Sequence, residues 1–288
     1  MNCPVMCKYC MAVKINQRSK HWSSGERLGV NKSCVFVNRL PNDPPLKDMP
    51  IDWSLFDGDY LGFQGITDCF WNIYIEDLKW IVEKVENSLI RKLVLISKIP
   101  INQQQLDILK QTNKIIVMYS LTGLDKLEKT KTVDRIDSMI ELRKNNIDTL
   151  GVIHPYIHQY SDLSFLKKLK DNNFDYVACK GFRYNPENML ELKKYIPARI
   201  LEQYKDDENE VMIGERYLLN KLSLHNIKAV DMKKYIRSNN KIDLNLEKEK
   251  IEKQVEELFK IVVISSSEKD LNIIKNDVIN RRLGKEAF

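Results

Sequence analysis

From residue 59 to residue 180, runs of consecutive apolar residues alternate with stretches in which apolar positions recur every three or four residues. Tyr60, Leu61 and Phe63 form a first short apolar run. Leu78, Ile81, Val82, Val85 and Leu89 follow at helical spacing, with Glu76, Asp77, Lys79, Glu83, Lys84 and Glu86 between them. That pattern predicts an amphipathic helix laid on a core. The unit then recurs: strands are predicted over 92–97, 114–119, 149–154 and 175–180, and helices over 102–111, 132–145 and 162–171. Leu-Val-Leu-Ile and Ile-Ile-Val-Met within these strands are apolar at every position, as parallel strands buried on both faces require. A repeated βα unit with short connections predicts an open or closed α/β barrel, with its chemistry at the C-terminal ends of the strands.

The flanks read differently. Residues 11–22 suit a short helix and 33–38 a strand, while 41–50 carries four prolines and is expected to be an irregular connection. Beyond residue 186 helical patterns dominate, over 186–195, 198–204, 214–222 and 244–260, before a strand-like run at 261–264 and a last helix over 268–282. The expected division is a barrel over 1–185 and a mostly helical cap over 186–288.

Composition narrows the function classes. A hydrophobic content of 43% with 10 Gly and 9 Pro is that of a globular chain. No apolar run approaches the ~20 residues of a membrane span, and the N-terminus lacks a charged leader with an apolar stretch, so a soluble, cytoplasmic protein is expected. The 46 Lys and Arg against 40 Asp and Glu are spread along the chain, which permits an anionic small-molecule substrate without calling for nucleic acid. Of six cysteines, three fall within eight residues, while Cys34, Cys69 and Cys179 stand apart. In a cytoplasmic chain such clustering points to a metal site rather than a disulfide framework.

The cluster reads Cys3-Pro4-Val5-Met6-Cys7-Lys8-Tyr9-Cys10. Gaps of three and two residues bring three thiolates to one side of a four-iron cube and leave the fourth iron without a protein ligand. That open iron can chelate the amino and carboxylate groups of S-adenosylmethionine (SAM). The spacing is not that of the four-cysteine ferredoxins, and a zinc site needs a fourth ligand, for which His21 is the closest residue. Tyr9, before the last cysteine, is placed to lie against the cluster and the adenine. Three unrelated surface thiols, or a structural zinc site, are the alternatives.

Cys3, Cys7, Tyr9 and Cys10 resemble the signature of the radical SAM superfamily, Cys-x3-Cys-x-aromatic-Cys. Further stretches are similar to its spore photoproduct lyase-like branch: Gly65-Ile66-Thr67-Asp68 at one strand end, Ser97-Lys98 at the next, Ser120-Leu121-Thr122 at the third, then a helix with Arg135 and a strand ending in His154-Pro155. The resemblance covers roughly residues 3–185. It implies a partial (β/α)6 radical SAM barrel holding a [4Fe-4S] cluster and SAM at its open top, and an electron donor such as flavodoxin or ferredoxin. Two departures stand out. Only two residues precede Cys3, so either the start is truncated or the first barrel strand is short or missing and 33–38 supplies an edge. Ser97 stands where the branch has Thr.

The zwitterionic cofactor needs hydroxyls for its ribose and amino-acid part and a cation for its carboxylate. Thr67 and Asp68 are candidates for the amino group, Ser120 and Thr122 for ribose or carboxylate, Lys98 or Arg135 for the carboxylate charge, and Val152 and Ile153 for the adenine, with Ser97 a further cofactor-binding candidate. Each of these polar residues also has an ordinary structural reading. Substrate contacts are expected from His154, Tyr156, His158, Lys180, Arg183 and Tyr184 at later strand ends; Arg183 beside Tyr184 suits a phosphate or a base. Cys69 and Cys179 are candidates for returning a hydrogen atom to a substrate radical, against the commoner role of a buried cysteine as a small apolar residue.

The expected activity is reductive cleavage of SAM to a 5'-deoxyadenosyl radical, followed by hydrogen abstraction from a small polar substrate. Queuine lyases, which release a modified 7-deazaguanine base from its nucleotide, are one group of this outline, and the mild basicity and aromatic residues suit a nucleotide. Peptide modification, DNA photoproduct repair and a non-catalytic iron–sulfur or zinc sensor remain alternatives.

Overall fold

A computed structural model of the chain describes residues 3–10, 28–30, 35–39, 41, 43–49, 53–56, 60–64, 67–183, 186–205 and 210–238. Leu28–Val30 (β1), Val35–Val37 (β2), Tyr60–Phe63 (β3), Lys92–Ser97 (β4), Ile115–Ser120 (β5), Asp148–Ile153 (β6) and Tyr176–Cys179 (β7) lie side by side in chain order in one sheet. Phe182–Arg183 (β8) and Glu210–Val211 (β9) form a separate antiparallel ribbon, and Lys228–Val230 (β10) returns to the main sheet beside β7. β1 runs antiparallel to β2. Every later neighbouring pair in the main sheet is parallel. The helices Ile75–Glu86 (α1), Gln103–Leu109 (α2), Thr132–Lys144 (α3) and Leu166–Asp171 (α4) fill the crossovers between β3 and β7. Pro186–Leu192 (α5), Ala198–Leu201 (α6), Glu215–Leu224 (α7) and Met232–Ser238 (α8) follow.

Successive side chains of a strand face opposite ways, and this alternation builds two cores. Leu61, Phe63, Leu93, Leu95, Ile115, Val117, Tyr119, Ile153 and Val177 pack against Leu78, Ile81, Leu106, Leu109, Ile136, Met139, Leu166 and Leu169 of α1 to α4. Tyr60, Val94, Ile116, Met118, Leu150, Val152 and Ala178 face the other way and meet Ile236 of α8. At about 1.5–3 kcal/mol for each large apolar side chain buried, both faces of the sheet hold it together. A third cluster joins Tyr9 to Leu124, Leu127, Phe182, Met189, Leu192, Ile200 and Tyr204, so the segment after residue 186 packs on the cysteine loop.

Local chemistry fixes the element ends. α2 starts with a capping box: Asn102 Oδ1 accepts from the Gln105 amide at 2.9 Å, and Gln105 Oε1 accepts from the Asn102 amide at 3.0 Å. α3, α4 and α7 end alike, on an asparagine with positive φ at Asn146, Asn173 and Asn226. The next residue, Ile147, Phe174 or Ile227, donates its amide to Leu142, Leu169 or Leu222, each at 3.0 Å, the six-to-one bond of a Schellman ending. Each ending delivers the chain to a strand of the parallel sheet.

Several expectations need correction. The strand expected over 33–38 is β2, but it is not an edge, because β1 pairs on its outer side. After residue 186 the described residues add two short strands to the helices, β10 extending the sheet and β9 pairing with β8; runs of two and three residues are too short for a periodicity to register. The first helix ends at Glu86, short of Leu89, and α4 begins four residues later than 162. The elements expected over 11–22, 244–260, 261–264 and 268–282 lie outside the described residues. Among the described residues no helix is long and apolar enough to cross a membrane.

Candidate functional site at the cysteine loop

The loop 3–10 is built from two tight turns, in which the Met6 amide donates to the Cys3 carbonyl and the Cys10 amide to the Cys7 carbonyl, both at 3.2 Å. Val5 and Tyr9 are buried and anchor it, whereas Met6, with φ of 47°, is exposed. The Lys8 amide donates to Leu127 O at 3.0 Å and the Lys129 amide to Val5 O at 3.1 Å. These bonds sew the loop to the segment joining β5 to α3. Cys3, Cys7 and Cys10 are half-buried and form no disulfide.

Burial raises the Cys3 thiol and pushes Cys7 up to about 12, with the nearby Lys98 ammonium opposing the rise at Cys7. Thiolates form at such positions only when a metal or a cation stabilises them. Among the described residues no group of three or more Cys, His, Asp or Glu side chains is gathered around a point that could hold one metal ion. The donor chemistry nevertheless suits iron and sulfide: three soft thiols on one eight-residue loop beside a buried ammonium. A cubane spreads its thiolates over separate irons, so the ligands need not converge on one ion.

Lys98, just past β4, reaches under this loop. Its Nζ donates to Tyr9 Oη at 2.7 Å, Glu128 Oε1 at 2.8 Å and Ser120 Oγ at 2.9 Å, and lies 5.1 Å from the Tyr9 ring centre. An ammonium has three N–H donors, and here all three are engaged. Burial lowers Lys98 to about 7, with the Cys7 thiolate acting against that. A ligand carboxylate therefore reaches Lys98 only by displacing one of three oxygens.

The other expected cofactor contacts divide. Ser120 Oγ donates to His154 O at 2.5 Å while accepting from Lys98, so Ser120, Lys98 and Tyr9 do come together. Thr67 is buried; its hydroxyl donates to Gln64 Oε1 at 3.1 Å and lies 3.3 Å from the Tyr74 hydroxyl, which can donate to it. Asp68 accepts from Ser97 Oγ at 2.7 Å, the Lys98 amide at 2.6 Å, the Phe70 amide at 3.0 Å and the Ile99 amide at 3.2 Å. Ser97 and both Asp68 oxygens are thus used in stapling the end of β4, and burial raises the Asp68 carboxyl. Thr122 is fully buried and donates to Glu128 Oε2 at 3.2 Å. Arg135 is fully buried: its Nε donates to Lys98 O at 3.0 Å, Nη1 to Ser120 O at 2.7 Å, and Nη2 to Glu128 and Thr130. It is a clamp on the ends of β4 and β5, not a free cation at the mouth. Val152 and Ile153 lie on opposite sheet faces, Ile153 toward the helices, so one face cannot carry both.

Among the expected substrate contacts, Tyr156 is buried and its hydroxyl meets His158 Nδ1 at 3.0 Å. The His158 amide donates to Tyr204 Oη at 2.9 Å, and its ring stands edge-on to Tyr217 with centres 5.4 Å apart. Gly214, with φ of 72°, allows this, because a Cβ there would come within 2.2 Å of the imidazole. Lys180 continues β7 through backbone bonds to Ile153 and Tyr156. Arg183 is exposed on β8 opposite Glu210. His154 supplies its carbonyl to Ser120, and Tyr184 lies outside the described residues. Cys69 is buried in the helix-side core with its thiol on Ile96 O at 3.5 Å, and burial holds that thiol far above its ordinary value. Cys179 is half-buried at the end of β7, pushed up to about 12 by burial.

No family model and no curated protein matches this chain. Sequence reasoning missed Glu128, which ties Lys98 to Arg135, and also missed Tyr204 and Tyr217 around His158. Glu128 lies in Lys-Leu-Glu-Lys-Thr-Lys, which reads as a solvated charge run.

Proposed function

We propose that this chain is a radical SAM enzyme: Cys3, Cys7 and Cys10 hold a [4Fe-4S] cluster, and SAM binds beside it at the C-terminal ends of β4 and β5. In this reading the parallel sheet is a partial barrel with its mouth at those strand ends. One observation carries it, the bond from Lys98 at the end of β4 to Tyr9 inside the cysteine loop. That bond and the backbone bonds at Val5 and Lys8 put the three thiols where the parallel strands end, the place where α/β sheets bind ligands.

When bound, such a cluster supplies the electron that cleaves the SAM sulfonium to methionine and a 5'-deoxyadenosyl radical. The chain's own residues bind and orient. The Lys98 ammonium, on exchanging one of its three bonds, and the Ser120 hydroxyl would meet the cofactor's polar groups beside the loop, and Tyr9 packs against Leu124 and Leu127 to keep water from the inner side of the loop. The substrate side falls to His158, which Tyr156 orients, and to Tyr217, whose aromatic faces with polar tips suit a small heterocycle such as a modified nucleobase. Release of free queuine from its nucleotide is one activity of this class that such a site would suit.

Anaerobic reconstitution with iron and sulfide is the test. A visible iron–sulfur absorption band that bleaches on reduction, with 5'-deoxyadenosine formed from SAM, is the expected result. Tightly held zinc with no cleavage of SAM would contradict the proposal. Incubation with a queuosine nucleotide then separates queuine release from other substrates.

A further inference from the structure

Glu128 is a fully buried carboxylate with two fully or largely buried cations on it, Arg135 and Lys98. The two oxygens do different work. Oε2 accepts from Arg135 and Thr122, both fixed in the frame around β5 and α3. Oε1 accepts from Lys98, whose remaining two donors go to Ser120 Oγ and Tyr9 Oη. Ser120 belongs to β5, so Glu128 and Ser120 together fix where the third N–H of Lys98 points, and it points at Tyr9. Tyr9 sits between Cys7 and Cys10. Glu128 is also flanked by Leu127 and Lys129, whose backbone groups hold Lys8 and Val5.

We propose that Glu128 is a positioning residue: acting through Lys98 and Tyr9, it sets the cysteine loop against the ends of β4 and β5. Its functional consequence rests on the iron–sulfur reading above, while its mechanical part rests on the hydrogen bonds alone. A neutral side chain at 128 replaces two charge-assisted acceptors, Oε1 for Lys98 and Oε2 for Arg135, with an amide that offers one oxygen, so the hold on the Lys98 head weakens. Lys98 then gives up its fixed direction and Tyr9 loses its donor. A purely structural ion pair would instead weaken the whole sheet evenly.

Amide hydrogen exchange on the full chain, before any metal is added, tests this without reference to activity. Glu128→Gln is expected to speed exchange over 3–10 and 127–129 by about tenfold or more, the mark of local rather than global opening, with β4 and β5 amides unchanged. Tyr9→Phe is expected to release 3–10 to the same extent, and the double variant to add nothing further. Glu128→Asp, which keeps the charge, is expected to restore part of the protection. Unchanged exchange at 3–10 in Glu128→Gln, an increase spread evenly over β4 and β5, or additive effects of the two substitutions would overturn the proposal. Should Glu128→Gln not fold, Glu128→Asp and Tyr9→Phe decide: partial release in the first and release in the second support it, and native protection in Tyr9→Phe overturns it. Release of the loop in the variants with no iron uptake by the parent chain upholds the positioning role and contradicts the iron–sulfur reading. Iron uptake and SAM cleavage with unmoved exchange do the reverse.

Discussion

Asp68 gathers four donors from two backbone stretches, and nothing in its sequence neighbourhood announces them. An acidic residue at a strand end looks the same in sequence whether its oxygens face a ligand or the amides of the next strand. Here they face Ser97, Lys98, Ile99 and Phe70. Asp68→Ala orphans these donors in a buried place, and the expected loss is about 3–5 kcal/mol of unfolding free energy, measured by urea denaturation. Cys179 offers a second residue-level check. Burial pushes its thiol up to about 12 from an ordinary 9.0, so above pH 9 the folded chain keeps a proton that the unfolded chain sheds. Stability is full below pH 9 and falls as pH rises from 9 toward 12, by up to about 1.4 kcal/mol per pH unit. Urea midpoints at pH 8.5 and 10.5 are expected to drop for the parent chain and to drop less for Cys179→Ala. The cysteine loop stands out in the sequence because its three cysteines fall within eight residues. Glu128 does not, because its partners lie 7 and 30 residues away.

At the scale of elements, β3 to β7 and the helices between them follow the hydrophobic rhythm of the sequence to within a few residues. β10 does not follow from it: with Lys228 and Ala229 exposed, a three-residue edge strand carries no apolar run. A different signal was present. His225-Asn226-Ile227 repeats Asn145-Asn146-Ile147 and Asn172-Asn173-Phe174, and in each the asparagine takes positive φ and the next residue closes the helix. The repeat marks a helix end that feeds a parallel strand. Asn226→Val places a β-branched residue at φ of 53° and is expected to cost about 1–2 kcal/mol, whereas Asn226→Gly is expected to be nearly neutral. Thermal melting of the two variants checks this. Equal melting temperatures would remove the positive-φ account of the α7 end.

Over the whole molecule, the sheet carries α1 to α4 on one face and α8 on the other, while the cysteine loop closes over the ends of β4 and β5. The described part of the C-terminal segment contributes to all of this: β10 extends the sheet, α8 covers the second face, and α5 and α6 pack on Tyr9. A boundary at 185 separates a change of rhythm in the sequence from what is physically one set of contacts. The central claim is that the loop 3–10 holds a cluster that cleaves SAM. It is tested most directly by counting 5'-deoxyadenosine released by the anaerobically reconstituted, reduced chain, beside a Cys7→Ala variant treated identically. The expected result is 5'-deoxyadenosine from the parent chain and none from Cys7→Ala; a parent chain loaded with iron and sulfide that forms no 5'-deoxyadenosine, or a variant that forms as much as the parent, would contradict the account.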